Sequence, residues 1–206
     1  GWRIEIKKYP ELTQIGAQRK ETVIGRNSGK YDGKPYGEGM FYTQDEIRDV
    51  IAYAQERFIT IIPEIDLPGH QLAAITTYPD LGCTSGPYEV WTQWGVSDDV
   101  ICAGNEKAMT FLEDVLGEVI DLFPSEYIHV GGDEAGKSAW KKWPECQALM
   151  KEKGMKNVDE LQSYIRPKNT CKAMSFHAWR NSSKAKGAIL SAGTKSWKAD
   201  WPRTLR

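Results

Sequence analysis

Two short segments contain residues whose types and spacing suit acid–base chemistry. The first is His129–Glu134 (HVGGDE), in which two glycines separate a short apolar run from two adjacent carboxylates. Glycines allow the backbone to turn sharply and to approach a ligand closely. Neighbouring side chains of a regular strand point to opposite faces, so Asp133 and Glu134 serve one site only if the chain leaves strand geometry here. A structural alternative is that Asp133 caps the next helix and Glu134 favours its positive end.

The second segment, Glu64–His70 (EIDLPGH), also follows an apolar run. Asp66 and His70 lie on either side of a Pro-Gly turn, where we expect them to be close enough to pair. A carboxylate beside an imidazole fixes the tautomer of the ring. The alternative is an Asp–His bond that only holds a loop in place. Two of the three histidines, His70 and His129, fall in these two segments, which favours a functional interpretation.

The elements that must position these segments alternate between helices and apolar runs. Thr43 and Glu46 have the spacing of a capping box, and the apolar residues that follow recur at helical spacing. The β-branched run at 58–62 predicts a parallel strand buried on both faces. Further along, the sequence predicts helices that begin at Asn105, at Pro144 and after Asn157, a short strand at 127–130, and long irregular segments at 1–42 and 71–104.

This order of elements predicts an α/β fold with a parallel sheet. In such folds the carboxyl ends of the strands carry the active site, which is where both acidic segments fall. The composition narrows the possible partners. Lys and Arg number 27 and Asp and Glu number 28, which argues against a nucleic-acid partner. The longest apolar runs, such as 58–62, are far too short to span a membrane.

The four cysteines, Cys83, Cys102, Cys146 and Cys171, do not form a CxxC pair, so the sequence gives little support to a zinc or redox site. Cys83 and Cys102 flank one loop-like stretch. In an oxidising compartment they form a disulfide, and otherwise they are two buried free thiols. Both alternatives remain open from the sequence.

Eight tryptophans are a high number for 206 residues. Trp91 and Trp94 lie in the irregular segment, where exposed rings offer a flat platform to the apolar faces of sugars. The alternative is that most of the tryptophans are core or loop anchors, which we expect for Trp140 and Trp143.

The two motifs, EIDLPGH followed by HVGGDE, resemble those of family 20 glycoside hydrolases, the β-N-acetylhexosaminidases. The segments GWRIE, YPEL and 94–105 are also similar to bacterial members. The resemblance implies a (β/α)8 barrel with its site at the carboxyl face. It implies removal of terminal β-linked GlcNAc or GalNAc with retention, without a metal or other cofactor. The implied partners are glycans that contain N-acetylhexosamine, and the implied location is periplasmic or extracellular.

The resemblance also assigns roles to the candidate residues. This family is an exception to the scheme with two protein carboxylates, because the acetamido oxygen of the substrate attacks the anomeric carbon and forms an oxazolinium ion. Glu134 would be the general acid that protonates the leaving oxygen and then activates water. Asp133 would orient the acetamide group, and Asp66 and His70 would support the acid. His129 belongs to the same motif as a substrate-binding or supporting residue.

The likeness covers about residues 1–165, and we expect this part to be an incomplete (β/α)8 TIM-barrel fragment around strands 3–5. Apolar and polar residues alternate in Gly1–Ile6, as they do within a strand, so we expect the chain to be a piece of a longer one. We expect such a piece to hydrolyse little by itself. Residues 166–206 form a divergent tail, for which a shifted reading frame is a hypothesis. The segment Gly193–Trp197 can be encoded by codons that, when read from one nucleotide earlier, encode Trp-Asp-Glu-Ile-Met. This sequence is similar to the segment of the next strand in the family.

Two other functions remain as alternatives. One is a non-catalytic glycan-binding module that uses Trp91 and Trp94, and it predicts sugar binding that survives Glu134→Gln. The other is a barrel hydrolase with two protein carboxylates, which predicts activity on sugars without a 2-acetamido group.

Overall fold

The computed structural model describes residues 1–84 and 86–165. This part of the chain is mainly helical, with irregular segments between the helices. Seven α-helices are present there: α1 (Glu11–Gln14), α2 (Gln44–Gln55), α3 (Leu72–Thr77), α4 (Glu106–Leu122), α5 (Ser138–Lys142), α6 (Pro144–Glu152) and α7 (Val158–Ile165). A 3-10 helix, Pro79–Leu81, follows α3. The predicted divergent tail at 166–206, which includes Cys171, lies outside the described residues.

The two long helices begin where their capping residues predict. At the start of α2, the Thr43 side chain accepts a hydrogen bond from the Glu46 N–H, and the Glu46 carboxylate accepts one from the Thr43 N–H. The predicted capping box is therefore confirmed. At the start of α4, the Asn105 side chain accepts a hydrogen bond from the Lys107 N–H at 2.9 Å.

The main core forms around the apolar face of α4. Its residues Leu112, Val115, Leu116 and Val119 are buried, and Phe111 adds an aromatic ring to the same face. This ring makes edge contacts with Trp2 and Tyr9 of the amino-terminal segment. The amino-terminal segment is therefore packed onto the core through its aromatic residues, although it contains little regular structure.

The predicted strands are wrong as extended elements. In the described residues, β-pairing consists of isolated bridges, two of them parallel, Ile4 with Tyr42 and Glu64 with His129. The run at 58–62 is not buried on two faces, since Phe58 is 99% exposed, with Ile59 and Ile62 also exposed. The physical reason is that a strand buried within a sheet needs hydrogen-bonded neighbours, and in the described residues the bridge nearest to this run begins at Glu64.

The irregular segments are partly as predicted. Residues 1–42 contain one short helix and antiparallel bridges between Arg19 and Tyr36 and between Val23 and Tyr31. The segment 71–104 contains α3 and the 3-10 helix, which the sequence analysis did not predict. Both are short, so they give too few turns for a helical pattern to be recognised.

A second, smaller apolar cluster packs α5, α6 and α7 together. Trp140 is fully buried in it and donates a 3.0 Å hydrogen bond from its indole N–H to the carbonyl oxygen of Ile101. Trp140 is thus a core anchor as predicted, and the half-buried Trp143 packs against the same cluster. No helix in residues 1–84 or 86–165 has the length and apolar character that crossing a bilayer requires.

Candidate active site

The two acidic segments lie side by side in a parallel arrangement. The Ile65 N–H donates to the His129 carbonyl oxygen, and the Leu67 N–H donates to the Val130 carbonyl oxygen, both at 2.9 Å. The His129 N–H in turn donates to Pro63 at 2.8 Å. Because parallel segments run in one direction, the residues that follow them, EIDLPGH on one side and GGDE on the other, meet at the same edge.

Asp66 holds the glycine turn that precedes the two carboxylates. Its Oδ1 accepts a 3.0 Å hydrogen bond from the Gly132 N–H. Gly131 has a φ of +53°, and a Cβ atom at this position would lie 2.1 Å from Asp66 Oδ1. Glycine is therefore required at position 131 for its backbone conformation and for the close approach of the Asp66 carboxylate.

Burial raises the pKa of the Asp66 carboxyl above its ordinary value. The hydrogen bond from Gly132 and the charge of His70 oppose this shift, while the negative charges of Glu64 and Asp133 add to it. Asp66 is bonded to Gly132, the residue directly before Asp133. A carboxyl with a raised pKa inside a cluster of acids is a common feature of active sites.

Glu134 contacts the imidazole of His70. Its Oε2 lies 3.4 Å from His70 Nε2, and the two side chains are 60% and 41% exposed respectively. Both residues have a left-handed backbone, with φ of +50° for Glu134 and +57° for His70. Such conformations are uncommon for residues other than glycine and cluster at functional sites.

The expected pairing of Asp66 with His70 takes a different form. Asp66 is bonded to Gly132, and the His70 ring reaches the acid Glu134 directly. Their mutual influence is electrostatic, because the charge of His70 acts on Asp66. His70 therefore contacts Glu134 directly, whereas the sequence predicted a contact with Asp66.

Asp133 and Glu134 are exposed residues of a loop, and they do not begin a helix. The next helix, α5, starts at Ser138, and the residue before it is Lys137. The alternative in which Asp133 caps the following helix is therefore wrong. The chain leaves strand geometry at the two glycines, as a shared site for adjacent carboxylates requires.

His129 lies on the neighbouring side of this edge and binds Glu64. Its Nδ1 lies 2.6 Å from Glu64 Oε1, across the parallel bridge that joins the two residues. The Gly131 N–H also donates to His129 Nδ1, at 3.2 Å, so this nitrogen faces both a carboxylate and a backbone donor. Both side chains are more than half exposed.

Helix α7 also contacts the acidic loop, which the sequence analysis missed. The side-chain amide of Gln162 donates a 2.6 Å hydrogen bond to the Gly132 carbonyl oxygen, and Gln162 is 6% exposed. Lys137 forms a 2.5 Å ion pair with Asp159 at the start of the same helix. The available signal was a polar residue, Gln162, beside the buried Leu161 on the inner face of α7.

The tryptophans predicted to form a sugar platform separate into two environments. Trp94 is 61% exposed, and the Arg26 guanidinium lies 5.9 Å from the centre of its ring. Trp91 packs against the main core, and its indole nitrogen is buried without a hydrogen-bond partner among the residues described. One ring is therefore available to a ligand, and the expected pair of exposed rings is not present.

Comparison with known proteins gives a consistent assignment. The family model for the glycosyl hydrolase family 20 catalytic domain matches residues 1–200. The chain is 47% identical over 164 residues to a beta-hexosaminidase of Porphyromonas gingivalis, a match that covers 80% of this chain and 20% of that protein.

Solved structures agree with the sequence match. A beta-N-acetylhexosaminidase from Bacteroides fragilis superposes with a TM-score of 0.64 at 40% identity, covering 80% of this chain and 29% of that one. An exo beta-N-acetylglucosaminidase from Vibrio harveyi, solved with N-acetylglucosamine, gives a TM-score of 0.64 at 42% identity, covering 80% and 26%. The chain thus spans a fifth to a third of the length of these relatives.

These matches, together with an acidic loop at the end of parallel-paired segments, place the chain among the catalytic domains of sugar-cleaving hydrolases. More narrowly, it belongs to glycosyl hydrolase family 20. Its structural neighbours are family 20 hexosaminidases, whose catalytic domain is a TIM barrel. The predicted family is therefore confirmed.

Proposed function

We propose that this chain supplies the acid-bearing part of an enzyme that removes terminal β-linked N-acetylhexosamine, GlcNAc or GalNAc, from the non-reducing ends of glycans. The observation that carries the proposal is the contact of Glu134 with His70 on a loop that Asp66 holds through its bond to Gly132. The similarity to beta-hexosaminidases of Porphyromonas gingivalis and Vibrio furnissii supports the same substrate class.

Glu134 is the proposed general acid and base. Its carboxyl protonates the oxygen that leaves with the aglycone, and the resulting carboxylate then activates water. Its side chain is 60% exposed at the edge of the parallel segments, which gives a substrate access to it. The neighbouring imidazole of His70 is in position to hold the carboxyl group in one orientation during both steps.

Asp133 is the proposed partner of the acetamido group. As the oxygen of this group attacks the anomeric carbon, positive charge develops on its nitrogen, and a carboxylate beside the nitrogen stabilises that charge. Attack by the substrate and then by water gives retention of configuration. Asp66 supports this arrangement through Gly132, the residue directly before Asp133. His129 lies next to the same edge with a side chain that is 59% exposed, which gives a sugar hydroxyl access to its ring.

The 206-residue chain by itself is proposed to hydrolyse little. The side chains of Glu134 and His70 are 60% and 41% exposed, so water surrounds groups that work best in an enclosed site. The exposed apolar residues Phe58, Ile59 and Ile62 form a face of the kind that packs against further protein. We therefore propose that residues 1–165 are an incomplete barrel, which other segments complete.

A chimera tests the proposed function. Residues 1–165 of this chain replace the matching segment of the Bacteroides fragilis enzyme, and circular dichroism establishes that the product folds. We expect the chimera to hydrolyse an aryl β-N-acetylglucosaminide, and we expect Glu134→Gln to lower kcat by about 100-fold or more. Glu126→Gln, which changes another exposed glutamate, is the matched control and should keep full activity. A folded chimera without hydrolysis would contradict the proposal.

The glycan-binding alternative is tested with the same variants. It rests on the exposed ring of Trp94. If the chain were a binding module, GlcNAc oligosaccharides would bind the 206-residue chain and its Glu134→Gln variant equally, and Trp94→Ala would abolish binding. We expect weak or no binding in all three, because one ring offers little contact area.

The reading-frame hypothesis for residues 166–206 remains a prediction. The family model extends to residue 200 and so includes most of this segment, whereas the match to the Porphyromonas gingivalis protein covers 80% of the chain. Sequencing the gene across residues 160–206 tests it. A frame that restores the family pattern supports the hypothesis, and the absence of such a frame rejects it.

A further inference from the structure

Three cysteines meet in the apolar cluster that packs α5, α6 and α7 together. The Sγ of Cys146 lies 3.7 Å from that of Cys102 and 3.9 Å from that of Cys83. All three sulfurs lie within 4.8 Å of one another, and all three residues are at most 2% exposed. We call Cys83, Cys102 and Cys146 the three-cysteine cluster.

The spacing of the sulfurs fits coordination of one metal ion. Zinc binds thiolate sulfur at about 2.3 Å, so sulfurs around one ion stand about 3.8 Å apart in tetrahedral geometry and about 4.0 Å apart in trigonal geometry. The two distances from Cys146, 3.7 and 3.9 Å, agree with both arrangements, and the third pair of sulfurs lies within 4.8 Å. A disulfide, in contrast, brings two sulfurs to about 2.05 Å and leaves the third cysteine unpaired.

The surroundings of Cys146 favour a thiolate. The Cys102 and Cys83 sulfurs lie 3.7 and 3.9 Å from the Cys146 sulfur, which also accepts hydrogen bonds from the backbone N–H groups of Gly104 and Ala103. Cys146 also lies in the first turn of α6, where the helix dipole favours negative charge.

Glycine at position 104 is what allows this arrangement. A Cβ atom there would lie 2.5 Å from the backbone nitrogen of Cys146. Only a residue without a side chain lets the 103–104 backbone come close enough to donate its N–H groups to the sulfur. Backbone N–H groups that point at a sulfur are the donors that a buried, negatively charged thiolate needs.

We propose that the three-cysteine cluster binds a thiophilic metal ion, Zn²⁺ or Cu⁺, through three thiolates. Each cysteine that binds as a thiol releases its proton to solvent, so uptake of the ion is accompanied by proton release. Among the described residues, the side chains that could hold one ion together are those of these three cysteines. Cu⁺ is satisfied by three sulfurs, whereas Zn²⁺ needs a small fourth ligand such as water.

The ion would join three separate parts of the chain. Cys83 follows the 3-10 helix, Cys102 precedes α4, and Cys146 belongs to α6. The same apolar cluster contains Trp140 and Leu161, which flank the acidic loop through α5 and α7. A bound ion would therefore stabilise the packing of α5, α6 and α7 beside the acidic loop, without contact with Asp133 or Glu134.

The test uses the 206-residue chain, purified under reducing conditions and freed of metal. Zn²⁺ is titrated in competition with a chromophoric chelator, and Cu⁺ is titrated under anaerobic conditions. We expect one equivalent to bind, three thiols to become protected from a thiol reagent, and the melting temperature to rise by roughly 5 °C at a hundredfold excess over Kd. Tighter binding of Cu⁺ would identify a three-coordinate site, and tighter binding of Zn²⁺ a site with a fourth ligand.

Single substitutions assign the site. Cys102→Ser and Cys146→Ser should each weaken binding at least about 100-fold and abolish the thermal shift. Cys171→Ser is the matched control and should keep one equivalent. If Cys146→Ser does not fold, Cys83→Ser, on the loop after the 3-10 helix, replaces it as the test.

Three results would overturn the proposal. The first is wild-type affinity in a folded Cys102→Ser or Cys83→Ser variant, and the second is loss of binding in Cys171→Ser. The third is a chain that binds neither ion and forms a disulfide between two cluster cysteines when the reductant is removed.

Discussion

Gln162 donates a 2.6 Å hydrogen bond from its side-chain amide to the carbonyl oxygen of Gly132. The N–H of the same glycine donates to Asp66, so Gly132 is held on two sides immediately before Asp133. The bond from Gln162 is sheltered from water, since that residue is only 6% exposed. Helix α7 therefore positions the acidic loop through the Gly132 carbonyl oxygen, while Asp66 positions it through the Gly132 N–H.

The first prediction concerns this positioning. In the chimera, Gln162→Leu should lower kcat about 10-fold and leave KM within about twofold. Without this bond the acidic loop changes its orientation, while the contacts that bind the sugar remain. The matched control is Gln147→Leu on α6, which removes a 2.8 Å bond to the carbonyl oxygen of Trp140 on α5. Steady-state kinetics on an aryl β-N-acetylglucosaminide distinguish the two. Equal losses in both variants, or a change confined to KM, would exclude a positioning role for Gln162.

The second prediction compares two glycines with similar backbones. Gly33 and Gly131 have φ of +63° and +53°, but an added Cβ meets no atom within 4 Å at Gly33 and meets Asp66 Oδ1 at 2.1 Å at Gly131. Gly33→Ala should therefore cost about 1 kcal/mol of unfolding free energy, from backbone strain alone. Gly131→Ala should cost about 3 kcal/mol, because the steric conflict is added. Urea unfolding of the 206-residue chain measures both, and equal costs would mean that Asp66 does not occupy the space beside Gly131.

The third prediction concerns the pH dependence of stability. Burial raises the pKa of Asp66 in the folded chain above 3.8, its ordinary value. The folded state therefore keeps this proton to higher pH than the unfolded state, and the contribution of Asp66 to stability falls as pH rises through that window. The substitution Asp66→Asn removes this pH-dependent loss of stability, because asparagine does not ionise. The asparagine side-chain oxygen can still accept the hydrogen bond from the Gly132 N–H.

We thus expect Asp66→Asn to be more stable than the wild type at neutral pH, by less than about 1 kcal/mol because solvent screens a partly exposed group. The advantage should disappear below the ordinary aspartate pKa. Urea unfolding of both proteins at a series of pH values measures it. An advantage that grows toward acid pH would contradict the assigned direction.

The fourth prediction concerns the exposed apolar face at 58–62. Phe58 is 99% exposed, so Phe58→Ser should change the unfolding free energy of the 206-residue chain by less than about 0.5 kcal/mol. In the chimera, where further protein is proposed to cover this face, the same change should cost about 2 kcal/mol or more. Ile24→Ser is the control, because Ile24 is 54% exposed in the separate segment 1–42. Equal effects of Phe58→Ser in both proteins would contradict an incomplete barrel.

The helices were the most predictable part of the fold. Thr43, Asn105 and Pro144 act through local hydrogen bonds and backbone angles, which the neighbouring sequence determines. The strands were not predictable in the same way. An apolar run such as 58–62 indicates what a segment can bury, but whether it becomes a strand depends on distant partners.

The candidate site was predictable in its residue types and only partly in its contacts. The glycines at 131 and 132 indicated a turn, and the close approach of Asp66 to Gly131 supports that interpretation. The partner of each acid was not predictable, since His70 reaches Glu134 through left-handed backbone at both residues. The contact of Gln162 joins residues thirty positions apart.

The three-cysteine cluster shows the same limit more clearly. Cys83, Cys102 and Cys146 have no short spacing that a metal motif would reveal. They meet because α6 packs against the segment before α4, with Gly104 at the point of closest approach. Sequence spacing identifies metal sites built from one local motif, and it does not detect sites assembled by tertiary packing.

The most direct test of the account compares two substrates of the chimera that differ only at the 2-position. An aryl β-N-acetylglucosaminide carries the acetamido group, and the corresponding aryl β-glucosaminide carries a free amine. If the acetamido oxygen is the nucleophile and Asp133 orients it, the acetylated substrate should react at least about 1,000-fold faster in kcat/KM, and Asp133→Asn should reduce that preference. Equal rates for the two substrates would contradict substrate assistance and with it the roles proposed for Asp133 and Glu134.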